Sequence, residues 1–392
     1  MDFTIQLKSE GNGLHRGVFS SGDFLEGDII IGASEEVMVD SVDISFVGRA
    51  RTRTDNPSLP FPSTTEKEFL RLQQPIEGSV KTAMLFQERH SYKFPFTFVI
   101  PDRLLPTSCS CHNNTLEDHL VVPPTTGGHQ RWDHDGILLD DPTPDMAEVV
   151  YEIAVKVLHS KHQGRGIAEH SSRRVCVVPE FPETPPHFIE KTSEYRLREE
   201  KTLSRGLLKG KSGCLVMETQ QLGAISSGLY GPATVVSLPV ILRFDPASND
   251  DAPPALENVR TKVQATTMFW SGPVVSSGKE QVSYVSQRSY SETVPLTSLR
   301  VAGARWQKHS QEWAHEQLAA GERVDAIAPS ATYKGGCYYL LKLSIPIQLP
   351  ANKALVPTFN SCLVSRSYRL DLTLVSSSAS SLVLRAPLQI CR

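Results

Sequence analysis

The sequence predicts an all-β protein of two tandem β-sandwich domains. Three observations carry this: apolar residues recur at alternate positions from end to end, turn residues punctuate the runs, and a proline-rich stretch divides the chain near its middle. Successive side chains of a strand point to opposite faces, so a strand with one face on a core alternates with period two. Phe3, Ile5 and Leu7 open the pattern. Val42, Ile44 and Phe46 share one face, whereas Val37 and Val39 just upstream are in the other phase, and the flip predicts a turn or bulge at Asp40-Ser41. Fuller runs follow: Val149 to Val157, Val236 to Phe244, Val259 to Thr267, Tyr339 to Ile347 and Tyr368 to Leu374. Leu382-Val383-Leu384 and Leu388-Gln389-Ile390 come last. The 25 Gly and 27 Pro are spread over both halves, as in an antiparallel sandwich and unlike parallel α/β architecture.

Two segments break the pattern. EKEFLRLQ, Glu66 to Gln73, predicts two helical turns, and Arg305 to Gly321 predicts about four. The second is expected as a helical insert near 305–320, with Trp306 and Trp313 seven apart on one stripe. That stripe either packs on the neighbouring sheet or binds a partner.

At 392 residues the chain exceeds one ordinary core. Between Val178 and Glu194 the sequence VPEFPETPPHFIEKTSE loses its alternation. The expected division is a first sandwich over 1–180, a Pro-rich linker over 181–194 and a second sandwich over 195–392. Two stretches, 55–78 and 108–145, read as long loops.

Composition bounds the function. With 40% hydrophobic and 21% charged residues and a formal net charge of −3, nothing points to nucleic acid. Seven scattered cysteines fit thiols in a reducing, cytoplasmic setting better than a disulfide framework. The N-terminus alternates and does not read as a signal peptide. No apolar run approaches the roughly 18 residues of a spanning helix, which leaves peripheral contact with a membrane open.

The segment Phe24-Leu25-Glu26-Gly27-Asp28-Ile29-Ile30-Ile31-Gly32, followed by Val42-Asp43-Ile44-Ser45-Phe46-Val47-Gly48-Arg49, resembles the opening of an arrestin N-terminal domain. His90 to Pro101 with Leu105-Pro106-Thr107-Ser108, and the strand Val150 to Val157, are similar to later blocks of that domain. Pro357-Thr358-Phe359, Ser367 to Leu372 and Ala386 to Ile390 resemble parts of the C-terminal arrestin domain. The order and spacing cover most of the chain and are closest to the α-arrestins of filamentous fungi.

The resemblance implies two immunoglobulin-like β-sandwiches, the arrestin fold. It also implies a cytoplasmic adaptor, peripheral at the plasma membrane or endosomes, that links cytoplasmic tails of transporters or receptors to endocytosis and ubiquitin-dependent down-regulation. In α-arrestins a PPxY motif recruits the WW domains of a HECT-type ubiquitin ligase. Here the Pro-Pro pairs read PPTT, PPHF and PPAL, and the chain stops just after its last strand. Recruitment through another adaptor is therefore expected; the alternative is a scaffold in signalling with no ligase link.

Candidate sites are few. Arg49, Arg51 and Arg53 alternate on the face opposite Val42, Ile44 and Phe46, about 7 Å apart. Guanidinium forks in such a row could hold phosphate groups, or the row could be a solvated face beside carboxylates of a neighbouring strand. Lys209 and Lys211, with Arg205, form a smaller basic group that reads as solvated surface or a second partner contact. Cys109-Ser110-Cys111-His112, with His119, His129 and His134, has the residue types of a zinc site, but C-x-C lacks the usual two-residue gap. It reads as a polar loop, so no metal or cofactor is expected. RGLLKGKS, residues 205–212, misses the spacing of a phosphate-binding loop, and no G-x-S-x-G, H-E-x-x-H or G-x-G-x-x-G motif occurs. The chain reads as a non-enzyme, with a hydrolase or metalloprotein built on loop 108–145 as the remote competitor.

Overall fold

Alternating burial makes strands of most of this chain. The computed structural model describes residues 1–8, 18–55, 62–75, 83–109, 116–128, 131–132, 138–160, 166–180, 194–204, 210–227, 234–271, 287–310, 327–376 and 381–391. It is all-β, with several sheets. Among the described residues, helix is limited to short turns such as α1 (Leu116–His119) and a 3-10 turn at Pro106–Ser108. Among the described residues no helix is long and apolar enough to cross a membrane.

The first half contributes β1 (Asp2–Leu7), β2 (Val18–Phe19), β3 (Phe24–Gly32), β4 (Val37–Thr54), β5 (Ser63–Gln73), β6 (Met84–Phe86), β7 (Ser91–Val99), β8 (Arg131–Trp132), β9 (Leu138–Leu139), β10 (Ala147–Ser160) and β11 (Gly166–Val177). β8 and β9 pair as a separate two-stranded sheet, while one larger sheet has the order β1-β3-β7 and a second β2-β11-β10-β4-β5 with β6 also on β4. Their inner faces share one core, in which the Phe46 ring of β4 lies 5.9 Å from Phe98 of β7 and stacks 5.7 Å from Tyr151 of β10. Tyr151 is fully buried, and its hydroxyl donates to the Pro123 carbonyl at 2.6 Å.

The second half contributes β12 (Arg198–Ser204), β13 (Lys211–Thr219), β14 (Ile225–Ser226), β15 (Val235–Pro246), β16 (Leu256–Trp270), β17 (Gln287–Arg300), β18 (Gln307–Ser310), β19 (Cys337–Gln348), β20 (Phe359–Asn360), β21 (Val364–Ser376), β22 (Ser381–Leu388) and β23 (Ile390–Cys391). Its larger sheets run β12-β13-β15-β19-β18 and β17-β16-β21-β20, with β22 on β21. They enclose a second core around Leu242, Phe244, Val263, Leu370 and Leu384.

The phase flip at Asp40-Ser41 is a β-bulge. β4 runs unbroken, while its pairing with β10 steps over Asp40 from Ser41 opposite Leu158 to Val39 opposite His159. Both helical expectations fail where they are described. Glu66 to Gln73 lies in β5, whose register shifts opposite Gly48 and Arg49 so that Phe69 and Leu70, adjacent in sequence, are both buried. Gln307 to Ser310, inside the segment expected as helix, is β18 on the edge of β19. In both cases a ladder with a neighbouring strand outweighs the helical propensity of Glu, Leu, Lys and Gln. Residues 311–326, with Trp313, lie outside the described residues, as does 181–193 of the expected linker.

Gly48 sits where β4 passes two aromatic rings. A Cβ there would come within 2.6 Å of the Phe69 ring and 2.9 Å of the Tyr151 ring. Gly48→Ala is expected to cost about 1–3 kcal/mol through overpacking, read as a lower denaturant midpoint with an unchanged slope. An unchanged midpoint would mean that the rings are not held against this strand.

Candidate functional site

Among the places where polar and reactive side chains collect are the outer face of β4 and the seam where loops of the first half meet the second. On β4, Ala50, Thr52 and Thr54 turn inward, which places Arg49, Arg51 and Arg53 outside as expected. Cross-strand register then puts carboxylates beside two of them. Arg51 faces Glu66 on β5 and Glu148 on β10; its Nε and Nη2 donate to Glu66 at 3.0 and 2.8 Å, and its Nη1 donates to Glu148 at 2.8 Å. Arg49 pairs with Glu152 and lies 3.5 Å from Glu66 and 3.6 Å from Glu68. Hydrogen bonding to Glu66 raises the Arg51 pKa, and hydrogen bonds from Arg71 hold the Glu68 carboxyl below its ordinary range. Two of the three guanidiniums are thus occupied by side chains of the same sheet, and Arg53 is exposed.

The other expected site residues are dispersed. Lys211 is exposed at the start of β13, and Lys209 lies outside the described residues. Trp306 stands in extended chain just before β18, half-buried on the second core, with its Nε1 donating to the Pro254 carbonyl at 3.3 Å. That placement is the sheet-packing reading of Trp306 without the helix.

The seam is richer than the sequence reading anticipated. Asp140 and Lys353 form a parallel bridge between the halves: the Asp140 amide donates to Asn352 O at 3.1 Å and the Ala354 amide to Asp140 O at 2.9 Å. Lys353 Nζ also reaches the Asp140 carboxylate and, at 2.7 Å, that of Glu292 on β17. Thr52 Oγ1 donates to Trp270 O at 2.7 Å, and Thr65 Oγ1 to Ser271 O at 2.6 Å. Arg366 on β21 is wholly buried, donates to Thr143 Oγ1 at 2.5 Å and lies 3.9 Å from Asp141. Apolar side chains of the second half, Phe269, Val356, Phe359, Leu363 and Val364, complete the core of the first.

One cluster in the seam has metal-ligand chemistry. Cys109, just after the 3-10 turn, and His119, at the end of α1, meet Cys362, two residues before β21. Cys109 Sγ lies 3.5 Å from His119 Nδ1 and 3.3 Å from Cys362 Sγ, and Cys362 Sγ lies 3.9 Å from His119 Nδ1. Both sulfurs are thiols. His119 and Cys362 line a pocket together with Lys67, Phe69 and Leu363. Burial pushes the Cys362 thiol pKa up, its contact with Cys109 adds to this, and the Lys67 charge draws it back. Sequence reasoning saw Cys109 and His119 but paired them with neighbours in the loop. Nothing local marks Cys362 as their partner.

Arg49→Ala leaves Glu66, Glu68 and Glu152 without the cation between them. The expected cost is about 1–2 kcal/mol, with much of it recovered when Glu152→Gln is added, as measured by denaturation of the four forms of the cycle. A negligible loss of stability together with loss of phosphopeptide binding would contradict this and make the row an anion site. No family model matches the chain, and no curated protein matches it.

Proposed function

We propose that the chain is a non-catalytic adaptor of the arrestin type, two immunoglobulin-like β-sandwiches in tandem, which binds cytoplasmic tails of transporters or receptors for endocytic sorting and ubiquitin-dependent down-regulation. The ordered blocks at residues 24–49, 90–108 and 150–157 support the family, and the all-β organisation into several sheets agrees with it. A cytoplasmic place of action, at the plasma membrane or endosomes, belongs to the same reading. So does a ligase brought by a second adaptor, because no PPxY occurs in the 392 residues.

The observation that carries the binding mode is the edge strand β17. It is 14 residues long and, among the described residues, pairs only with β16. Gln287 to Ser291 are exposed on both faces, and Tyr290 is 41% exposed. A strand paired on one side offers a row of amides and carbonyls to an extended peptide, with side-chain contacts such as those of Arg288 and Tyr290 setting selectivity. The Arg row carries less of the reading, since Arg49 and Arg51 are already paired.

The missing PPxY favours the second reading, a signalling scaffold without a ligase link. Proximity labelling that captures a HECT-type ligase in cells would count against it.

Adjacent residues of a strand point their N–H groups to opposite sides, so only one of Tyr290→Pro and Ser291→Pro removes a bond to β16. Proline is tolerated where the edge N–H faces solvent. The variant that keeps the wild-type melting temperature is expected to bind an array of transporter-tail peptides at least about tenfold more weakly, a difference near 1.4 kcal/mol. If that stable variant binds the array as the wild type does, or the wild type binds none of it, strand addition at β17 is wrong.

A further inference from the structure

We infer that Cys109, His119 and Cys362 bind a soft divalent transition-metal ion, zinc by the chemistry of the donors, which clasps the two halves together. Two thiolates and an imidazole are the donor set that zinc prefers, with the fourth position left to water or a further donor. The distances fit. The three donor atoms are separated by 3.3, 3.5 and 3.9 Å, and the circle through them has a radius of about 2.1 Å. An ion slightly off their plane therefore meets each at about 2.0–2.3 Å, the range of Zn–N and Zn–S bonds.

Two further observations point the same way. Lys67 lines this pocket with its Nζ buried and the Cys362 thiol close by. A buried ammonium favours anionic neighbours, and thiolates supply them in the metal-binding form. His119 presents Nδ1 to both sulfurs, an arrangement that a simple dithiol pair does not need. As the ion binds, each thiol releases its proton to solvent and each sulfur donates a lone pair; no oxidant or reductant takes part.

The ligands give the ion a structural consequence. Cys109 and His119 come from the stretch after β7, and Cys362 from the other half, 253 residues from Cys109. An ion held by all three ties the loops of the first half to the turn before β21, beside Leu363 and Val364 in the first core. The inference does not depend on the adaptor reading.

The full-length chain, purified under reducing conditions and exchanged into Co(II), is expected to bind about one ion with a thiolate-to-metal charge-transfer band and tetrahedral d–d absorption. Zn(II) is expected to displace the cobalt and raise the melting temperature. Cys109→Ser and Cys362→Ser should each lose the band, while Cys337→Ser, remote from the cluster, should keep it. If a serine variant fails to fold, the wild-type titration still decides. No thiolate band, a band unchanged in a folded Cys362→Ser chain, or a Cys109–Cys362 disulfide as the stable form under these reducing conditions would overturn the assignment.

Discussion

A β-sheet that does not close on itself leaves a row of backbone groups unpaired along each side, and the arrangement of this chain follows from how those edges are covered. Different edges are managed differently. The β1 edge receives Arg173, which donates to Ile5 O at 2.7 Å; the β7 edge receives the Gln74 side chain, which accepts from the Thr97 amide at 3.0 Å. Arg196 makes a two-way backbone bridge to Arg385 of β22, and β18 is only four residues long. β5 carries alternating charges, and its Thr65 is tied to Ser271 of the other half. Among the described residues β17 stands apart because it is long, exposed over Gln287 to Ser291 and paired only with β16.

The same demand explains the seam. Loops that cross between halves must find partners for their amides and charges, and the Asp140–Lys353 bridge and the Lys353–Glu292 pair meet it, whereas Arg366 is met only in part, through its Nη2 on Thr143 and Asp141. A fully buried guanidinium is costly to desolvate, and with Nε and Nη1 making no hydrogen bond among the described residues Arg366 is weak grounds for net stability. Asp141 holds the receiving loop in shape, accepting from the Gly127 and Thr143 amides at 2.9 Å each and from Thr143 Oγ1 at 2.6 Å. Gly127, at a φ of 66°, occupies the left-handed region that glycine enters without steric cost. Lys353 joins this seam to β17 through Glu292, so a peptide added at that edge would lie within one side chain of the contact between the halves.

How much of this was legible in the sequence depended on distance along the chain. Alternation located the strands, and the change of phase around Asp40 located a bulge, because both are properties of a few neighbouring residues. Glu66 to Gln73 and Gln307 to Ser310 were misread as helix because their propensity is local while the ladders that decide them come from β4 and β19. The outward direction of Arg49, Arg51 and Arg53 was readable from parity. The neutralisation of Arg49 and Arg51 depended on Glu66, Glu148 and Glu152, whose cross-strand register no single segment encodes. The cluster of Cys109, His119 and Cys362 was the least legible, since its closing member comes from the other half and carries no spacing signal.

Amide hydrogen exchange of the intact protein tests most directly whether β17 is a peptide-accepting edge. With a saturating tail peptide, protection should rise along residues 287–293, since new ladder bonds shield the amides that face outward, while the buried strands β10 and β21 exchange as before. Protection confined to the outer face of β4, or none along 287–293 with peptide bound, would contradict it.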